Sequence, residues 1–194
     1  MILVNLIVDQ SVEFSIRQLA GVMFKQYVES HWNSSAEKFK EPEINEAVKL
    51  RIKQILPSGL ADQSSKIRSI VAASVGSIAH WDWPEQWPEL FGILLSALST
   101  DQVDLNAVHG TLETLTEIVL EITDIQIPQI APAIIPQLYK IFIDPQRYSI
   151  SLRTSSIEIF SSLVSVISDM AEYDAVRTQL IIYSNSINNS FFVI

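Results

Sequence analysis

The sequence predicts an all-α protein in which pairs of helices repeat along the chain and stack side by side as an α-α superhelix. Three observations lead there. Apolar residues recur at steps of three and four nearly throughout, most cleanly at Leu105, Val108, Leu112, Leu115, Val119 and Ile122, which marks one buried helix face. No comparable stretch alternates with a period of two, the signature of a half-buried strand. An arginine-centred pattern returns three times, as Arg17, Ala20, Met23, Phe24, Tyr27, then Arg68, Val71, Ser74, Val75, Ile78, then Arg153, Ser156, Ile159, Phe160, Leu163.

In chain order, helices are expected over residues 10–30, 43–60, 65–80, 84–99, 104–123, 127–143 and 150–171. The first is expected to bury the stripe Val12, Ile16, Leu19, Met23, Tyr27. The polar stretch NSSAEKFKEPE follows as the longest loop and ends at Pro42, where a helix start tolerates a missing N–H. The next two helices carry Ile44, Val48, Ile52, Ile55 and Ile67, Ile70, Val71, Val75, Ile78, and the fourth carries Leu90, Leu94, Leu98. Residues 80–90 read HWDWPEQWPEL and hold Trp81, Trp83 and Trp87, three of the four tryptophans. They are expected to end one helix, turn and begin the next, with Asp82 as cap and Glu85 completing a capping box. Pro84 suits a first turn, whereas Pro88 either kinks the helix or marks a later start. The tryptophans are expected to seal the seam between neighbouring helix pairs, each burying about 150–250 Å², rather than to cage a ligand.

The first two pattern arginines stand 51 residues apart across the long loop, and the second and third 85 apart, two periods of about 42, the length of a HEAT or armadillo unit. The skipped unit falls on helix 104–123, which keeps its stripe but has no arginine in register. The result is four hairpin units, the first incomplete. A helix pair cannot bury its apolar side alone, so each does so against its neighbours.

Composition narrows the function. Apolar residues make up 48% of the chain with only five glycines, enough for a sizeable core. The absence of cysteine removes disulfides, thiolate nucleophiles and Cys-based zinc sites together. A net charge of −9 repels phosphate backbones, so no direct nucleic-acid binding is expected, and a basic partner is favoured. The apolar opening MILVNLIVDQ lacks a basic flank and is cut at Asp9, so neither a signal peptide nor a membrane span is expected. The glycosylation triplets at Asn33 and Asn188 carry no weight without secretion. The glycines are isolated, no Gly-x-Ser-x-Gly elbow occurs, and His31, His80 and His109 lack metal-ligand spacing. No enzyme, catalytic residue, metal or cofactor is expected.

What asks for a partner is an acidic ridge. Glu113, Glu117 and Glu121 recur four apart on helix 104–123, with Asp124 just beyond and no lysine or arginine in that helix. Like charges at this spacing cost about 0.2–0.5 kcal/mol per pair, which water tolerates and a basic ligand reverses.

The segments IRQLAGVMFKQYVESHW (16–32) and KIRSIVAASVGSIAHWDWPEQWPEL (66–90), with NAVHGTLETLTEIVLEITD and APAIIPQLYKIF beyond them, resemble the N-terminal region of the importin-β (karyopherin-β) nuclear transport receptors. The likeness covers about residues 7–172 and joins the Arg-x-Leu-Ala helix, Trp32, the Ile-Arg helix and the Trp-Pro-x-Leu turn in order. In that family an earlier helix packs against residues 12–30, and only its last residues fit within MILVNLIVD, so the chain reads as a piece of a longer receptor. The resemblance implies a HEAT-repeat import receptor of cytoplasm and nucleus, without catalysis. It implies that helices 10–30, 65–80 and 104–123 line a concave side binding the GTP form of Ran. Basic cargo such as core histones would compete for that acidic face, and nuclear pore proteins would engage the full-length receptor. By position, Lys25, Gln26, Ser69, Ala73, Gly76 and Ser77 join Glu113, Glu117, Glu121 and Asp124 as candidate contacts. Arg17, Arg68 and Arg153 are expected to hold repeats together through carbonyl or carboxylate partners. The alternative, from another class, is a HEAT-repeat scaffold organising a complex without Ran. Residues 1–174 read as the repeat region, and 175–194 as a tail without family likeness, expected to be disordered, whose Phe191 to Ile194 end is an aggregation hazard.

Overall fold

A computed structural model describes residues 1–99, 104–120 and 126–168. Among the described residues the chain is helical without a strand: α1 (Ile2–Val8), α2 (Phe14–His31), α3 (Glu46–Ile55), a 3-10 turn over Leu56–Ala61, α4 (Ser65–Asp82), α5 (Leu90–Ser99), α6 (Leu105–Val119), α7 (Ile127–Ile143) and α8 (Ile150–Ser168). The tail 175–194 lies outside the described residues. Two compact units divide the chain, residues 1–118 and 119–194.

In the first unit α1 packs on α2 and α2 on α4, while the 3-10 turn joins α3 to α4. Pro57 shortens the expected 43–60 helix: lacking an N–H, it sits at the start of the tighter turn, and α3 stops at Ile55. Asn45 caps α3 by accepting from the Val48 N–H at 3.0 Å, three residues after Pro42. The fourth helix starts at Leu90 rather than 84, the later of the two starts that Pro88 allowed.

Each pattern arginine is the fourth residue of its helix: Arg17 in α2, Arg68 in α4, Arg153 in α8. Three positions on come Ala20, Val71 and Ser156, and seven on come Phe24, Val75 and Phe160, all buried. In α6 the same register holds Val108, Thr111 and Leu115, also buried. The repeat is therefore a packing register shared by every second helix, and α6 keeps it with an apolar residue where the others place a cation.

The stripe expected to be buried on α2 is a correction. Ile16, Leu19, Met23 and Tyr27 are 50%, 61%, 48% and 42% exposed, and the covered face is Arg17, Ala20, Gly21, Phe24 and Val28, turned by one residue. Both sets recur at helical steps, so periodicity alone cannot choose between them.

Close approach of helices in this unit depends on residues without a side chain. A Cβ on Gly110 of α6 would run into the carbonyl oxygen of Leu60, and one on Gly76 of α4 would come within 2.7 Å of the Glu117 Cβ.

In the second unit α7 packs on α8 through Ile134, Ile135, Leu138 and Ile141 against Leu152, Ile159 and Leu163. Pro132 and Pro136 lie inside α7 on its less buried side, where water can satisfy the carbonyls they leave free. Asp144 turns the chain toward α8 by accepting from the N–H groups of Gln146 and Arg147 at 3.1 and 3.0 Å.

Gly110→Ala is expected to lower stability by about 1–3 kcal/mol, because the obstructing atom is backbone. Gly92→Ala, on the exposed side of α5 with nothing within 4 Å, is expected to raise it by about 0.5–1 kcal/mol through helix propensity. Chemical denaturation of the two variants beside the parent chain checks both signs.

Candidate ligand-binding surface and its support

The surface rests on buried charge. Arg17 donates from Nε and Nη2 to the Ile7 carbonyl at 2.9 and 2.7 Å, and its guanidinium pairs with the buried Asp62 carboxylate. It thus closes the end of α1 onto α2 and ties both to the segment entering α4. Arg68 Nη1 donates to the carbonyls of Asp62 and Gln63 at 2.6 and 3.2 Å and to Asn106 Oδ1 at 3.0 Å, reaching the start of α6. Arg153 Nε donates to the Phe142 carbonyl at 2.6 Å, the same closure of first helix onto second in the other unit. A guanidinium suits this work because its planar fork satisfies several acceptors at once and never discharges.

A second buried cluster centres on Asp82, and here the structure corrects the expected capping box. Asp82 is the last residue of α4, 2% exposed; its carboxylate accepts from Trp32 Nε1 at 2.9 Å and Lys53 Nζ at 2.8 Å. A buried carboxylate needs a cation more than a helix start needs a cap, and Lys53 supplies it. Lys53 also donates to the Gln86 carbonyl at 2.7 Å, fixing the turn that carries the tryptophans. Trp32, Trp83 and Trp87 are buried, and Trp83 meets Phe91 edge-on at 4.6 Å, so three of the four tryptophans are packing as expected. Trp81 is half-buried beside His80, their rings edge-on at 4.7 Å.

The sequence did not reveal that Asp82 pairs with Lys53, nor that two lysines of α3 are buried. Their signal was Lys49 and Lys53, four apart on the apolar side of α3, both buried. Lys49 Nζ donates to Glu43 at 2.6 Å and Glu46 at 2.9 Å and stands 5.7 Å from the centre of the Trp32 ring. Burial works against the charge on Lys49, and the bonds to Glu43 and Glu46 outweigh it, raising its pKa above 10.5. Chiefly through the Lys49 bond, the Glu43 carboxyl is held below its ordinary 4.5.

The candidate contacts among the described residues fall on α2, α4 and α6. Lys25 and Gln26 are exposed on α2. On α4, Ser69 is exposed, Ala73 and Ser77 are half-buried, and Gly76 is buried against Glu117; its assignment to the exposed side is corrected, since α6 lies over it. Ser69 Oγ donates to Glu113 Oε1 at 2.9 Å, and His109 Nδ1 stands 3.6 Å from Glu113 Oε2. The ridge is therefore less bare than its sequence suggested: Glu113 is half-buried and engaged along α4, while Glu117 is exposed. Glu121 and Asp124 lie outside the described residues. Among the described residues no cluster of three or more His, Cys, Asp or Glu could hold a metal ion, and no helix is long and apolar enough to cross a membrane.

A family model described as the importin-beta N-terminal domain matches residues 1–62. The chain is 34% identical over 184 residues to importin-9 of Drosophila melanogaster, covering 91% of this chain and 18% of that protein. The chain belongs to the importin-β family. Importin subunit beta-5 of Schizosaccharomyces pombe is another relative, 30% identical over 168 residues, covering 83% of this chain and 16% of the relative. A crystal structure of importin beta superposes with a TM-score of 0.73 at 19% identity over 94% of this chain and 22% of that one, which establishes the HEAT-type fold. The chain thus spans less than a fifth of the curated relatives named here. In this importin-β-family chain the arginine register and the Asp82 cluster are what set α2, α4 and α6 beside one another.

The Glu43–Lys49 pair gives a pH signature. Because the folded pKa of Glu43 lies below 4.5, its contribution is complete above that pH and is lost as pH falls through the lowered value. Because that of Lys49 lies above 10.5, its contribution is complete below that pH and is lost as pH rises through the raised value. The stability gap between the parent chain and Lys49→Met, from urea denaturation across pH, is expected to be widest between these limits and to shrink beyond both.

Proposed function

We propose that these repeats belong to a nuclear import receptor that moves between cytoplasm and nucleus, binding the GTP form of Ran and basic cargo such as core histones. The reading is supported above all by the 34% identity to importin-9 across 91% of the chain. Ran would meet the second helices through Lys25, Gln26, Ser69, Ala73 and Ser77, and a basic cargo would meet Glu117 and Glu113, with Glu121 and Asp124 extending the acidic run in sequence. Gly76 leaves this set because α6 covers it. Ran and cargo would oppose each other because both bind one array of helices, so that the occupation of one site lowers the affinity of the other by a coupling free energy. In the longer receptor, nuclear pore proteins would be further partners.

Immobilised chain should retain GTP-loaded Ran and not GDP-loaded Ran. Equal or absent retention would overturn the reading in favour of a scaffold that organises a complex without Ran. Glu117→Lys should slow association with a core histone dimer by about tenfold or more at low salt, the scale of electrostatic steering. An unchanged rate would remove the acidic surface from the mechanism.

A further inference from the structure

Two polar atoms of α6 face each other without a bond. His109 Nδ1 and Glu113 Oε2 stand 3.6 Å apart, one turn along the helix, and both atoms are shut away from water although a third of each side chain is exposed. Among the described residues neither atom has a hydrogen-bond partner. Buried polar atoms are nearly always bonded, so such a pair calls for a reason. A neutral imidazole has one N–H for two nitrogens: on Nε2 it leaves two lone pairs opposed, and on Nδ1 it makes only a long contact. Protonation puts a hydrogen on both nitrogens and turns the approach into an ion pair.

The other oxygen of Glu113 is held by a bond that can be given up. Ser69 Oγ lies 2.9 Å from Glu113 Oε1 and 3.0 Å from the Ser65 carbonyl oxygen, and a hydroxyl has one hydrogen to donate. If the carboxylate leaves, that hydrogen falls back to the carbonyl of its own helix and no donor is orphaned. Glu113 therefore has two places to rest: inward, between Ser69 and the His109 ring, or outward beside Glu117, which is exposed one turn further on. The neighbouring charges leave the choice to the imidazole. On α6 they are Glu113 and Glu117, with no lysine or arginine in the helix. On α4 they are Lys66, exposed to water, and Arg68, whose Nη1 donates to Asn106 and to the carbonyls of Asp62 and Gln63; His80 and Asp82 lie at the far end of that helix, past Gly76. The 3-10 turn, whose Leu60 carbonyl approaches Gly110, carries no charged residue, and neither does α5; Asp62, just past the turn, is paired with Arg17.

We propose that His109 is a positioning residue for Glu113 and makes the basic-ligand surface sensitive to pH. Neutral, His109 leaves the carboxylate to a lysine or arginine of the ligand, beside Glu117. Protonated, it draws the carboxylate in, and one charge of the ridge is spent inside the protein. Binding of a basic ligand therefore weakens as pH falls through the range in which histidine gains its charge, between about pH 8 and pH 5. By reciprocity, a ligand that takes Glu113 expels the proton from His109. Resting on the assignment of Glu113 and Glu117 to basic cargo proposed above, the device adds the condition under which Glu113 is offered.

The probe is an acetylated and amidated peptide of lysine and alanine, about 16 residues long, which has no group that titrates between about pH 5 and pH 8. Isothermal titration calorimetry with the full chain, in two buffers of different ionisation enthalpy, reads both the affinity and the protons released. In the parent chain the affinity at about pH 5.5 should be about three- to fivefold below that at about pH 7.5, the scale of one exposed ion pair, and binding between these values should release a fraction of a proton. His80→Gln should behave like the parent. His109→Gln and Glu113→Gln should each hold the two affinities within about twofold of one another and release no proton. A parent chain that binds equally at both pH values, or that releases no proton, would overturn the proposal while leaving the acidic surface in place. So would a fall in affinity that survives His109→Gln. A parent chain that binds the peptide at neither pH would overturn the reading of the surface, and the proposal with it.

Discussion

The structure of the first unit depends on one constraint: a guanidinium taken out of water must find acceptors on more than one element. Arg17 finds them at the end of α1 and at Asp62, before α4. Asp62 then gives its carbonyl to Arg68, whose other bonds reach Asn106 at the start of α6. A buried cation left short of partners costs several kcal/mol, so helices placed elsewhere would leave a charge unmatched. Hydrophobic burial supplies most of the driving force, but it is non-directional and would accept neighbouring registers. The arginines select one, and by doing so they bring α2, α4 and α6 to the surface together.

The same selection explains the chemistry of that surface. Gly76 lets α6 come close enough for Ser69 to bond Glu113, so the acidic ridge is held along α4. Asp82, with Trp32 and Lys53, fastens the far end of α4 to α3 and to the end of α2. The candidate contact side chains on α2, α4 and α6 inherit their positions from these buried contacts.

Much of this was legible in the sequence. The all-α class and the register Arg17, Arg68, Arg153 could be read because period and spacing are local properties that survive in any packing. What could not be read was which of two adjacent stripes a helix buries. Ile16, Leu19, Met23, Tyr27 and Ala20, Phe24, Val28 have the same period, and it is the packing of α1 and α4 on α2 that covers the second set. Asp82 was misassigned for a related reason: its place between tryptophans and before a proline suits a cap, and its true partners lie 50 residues back at Trp32 and 29 back at Lys53. Gly76 was placed on the open side because the covering residue, Glu117, comes from another helix pair.

A double-mutant cycle on Arg17 and Asp62 tests the central claim most directly, with Arg17→Met, Asp62→Leu and the pair measured by urea denaturation. If the buried charges couple α1 and α2 to α4, the double variant loses less stability than the sum of the single losses, by about 1.5 kcal/mol or more. Losses that add to within about 0.5 kcal/mol would show the two residues acting independently and would contradict the account.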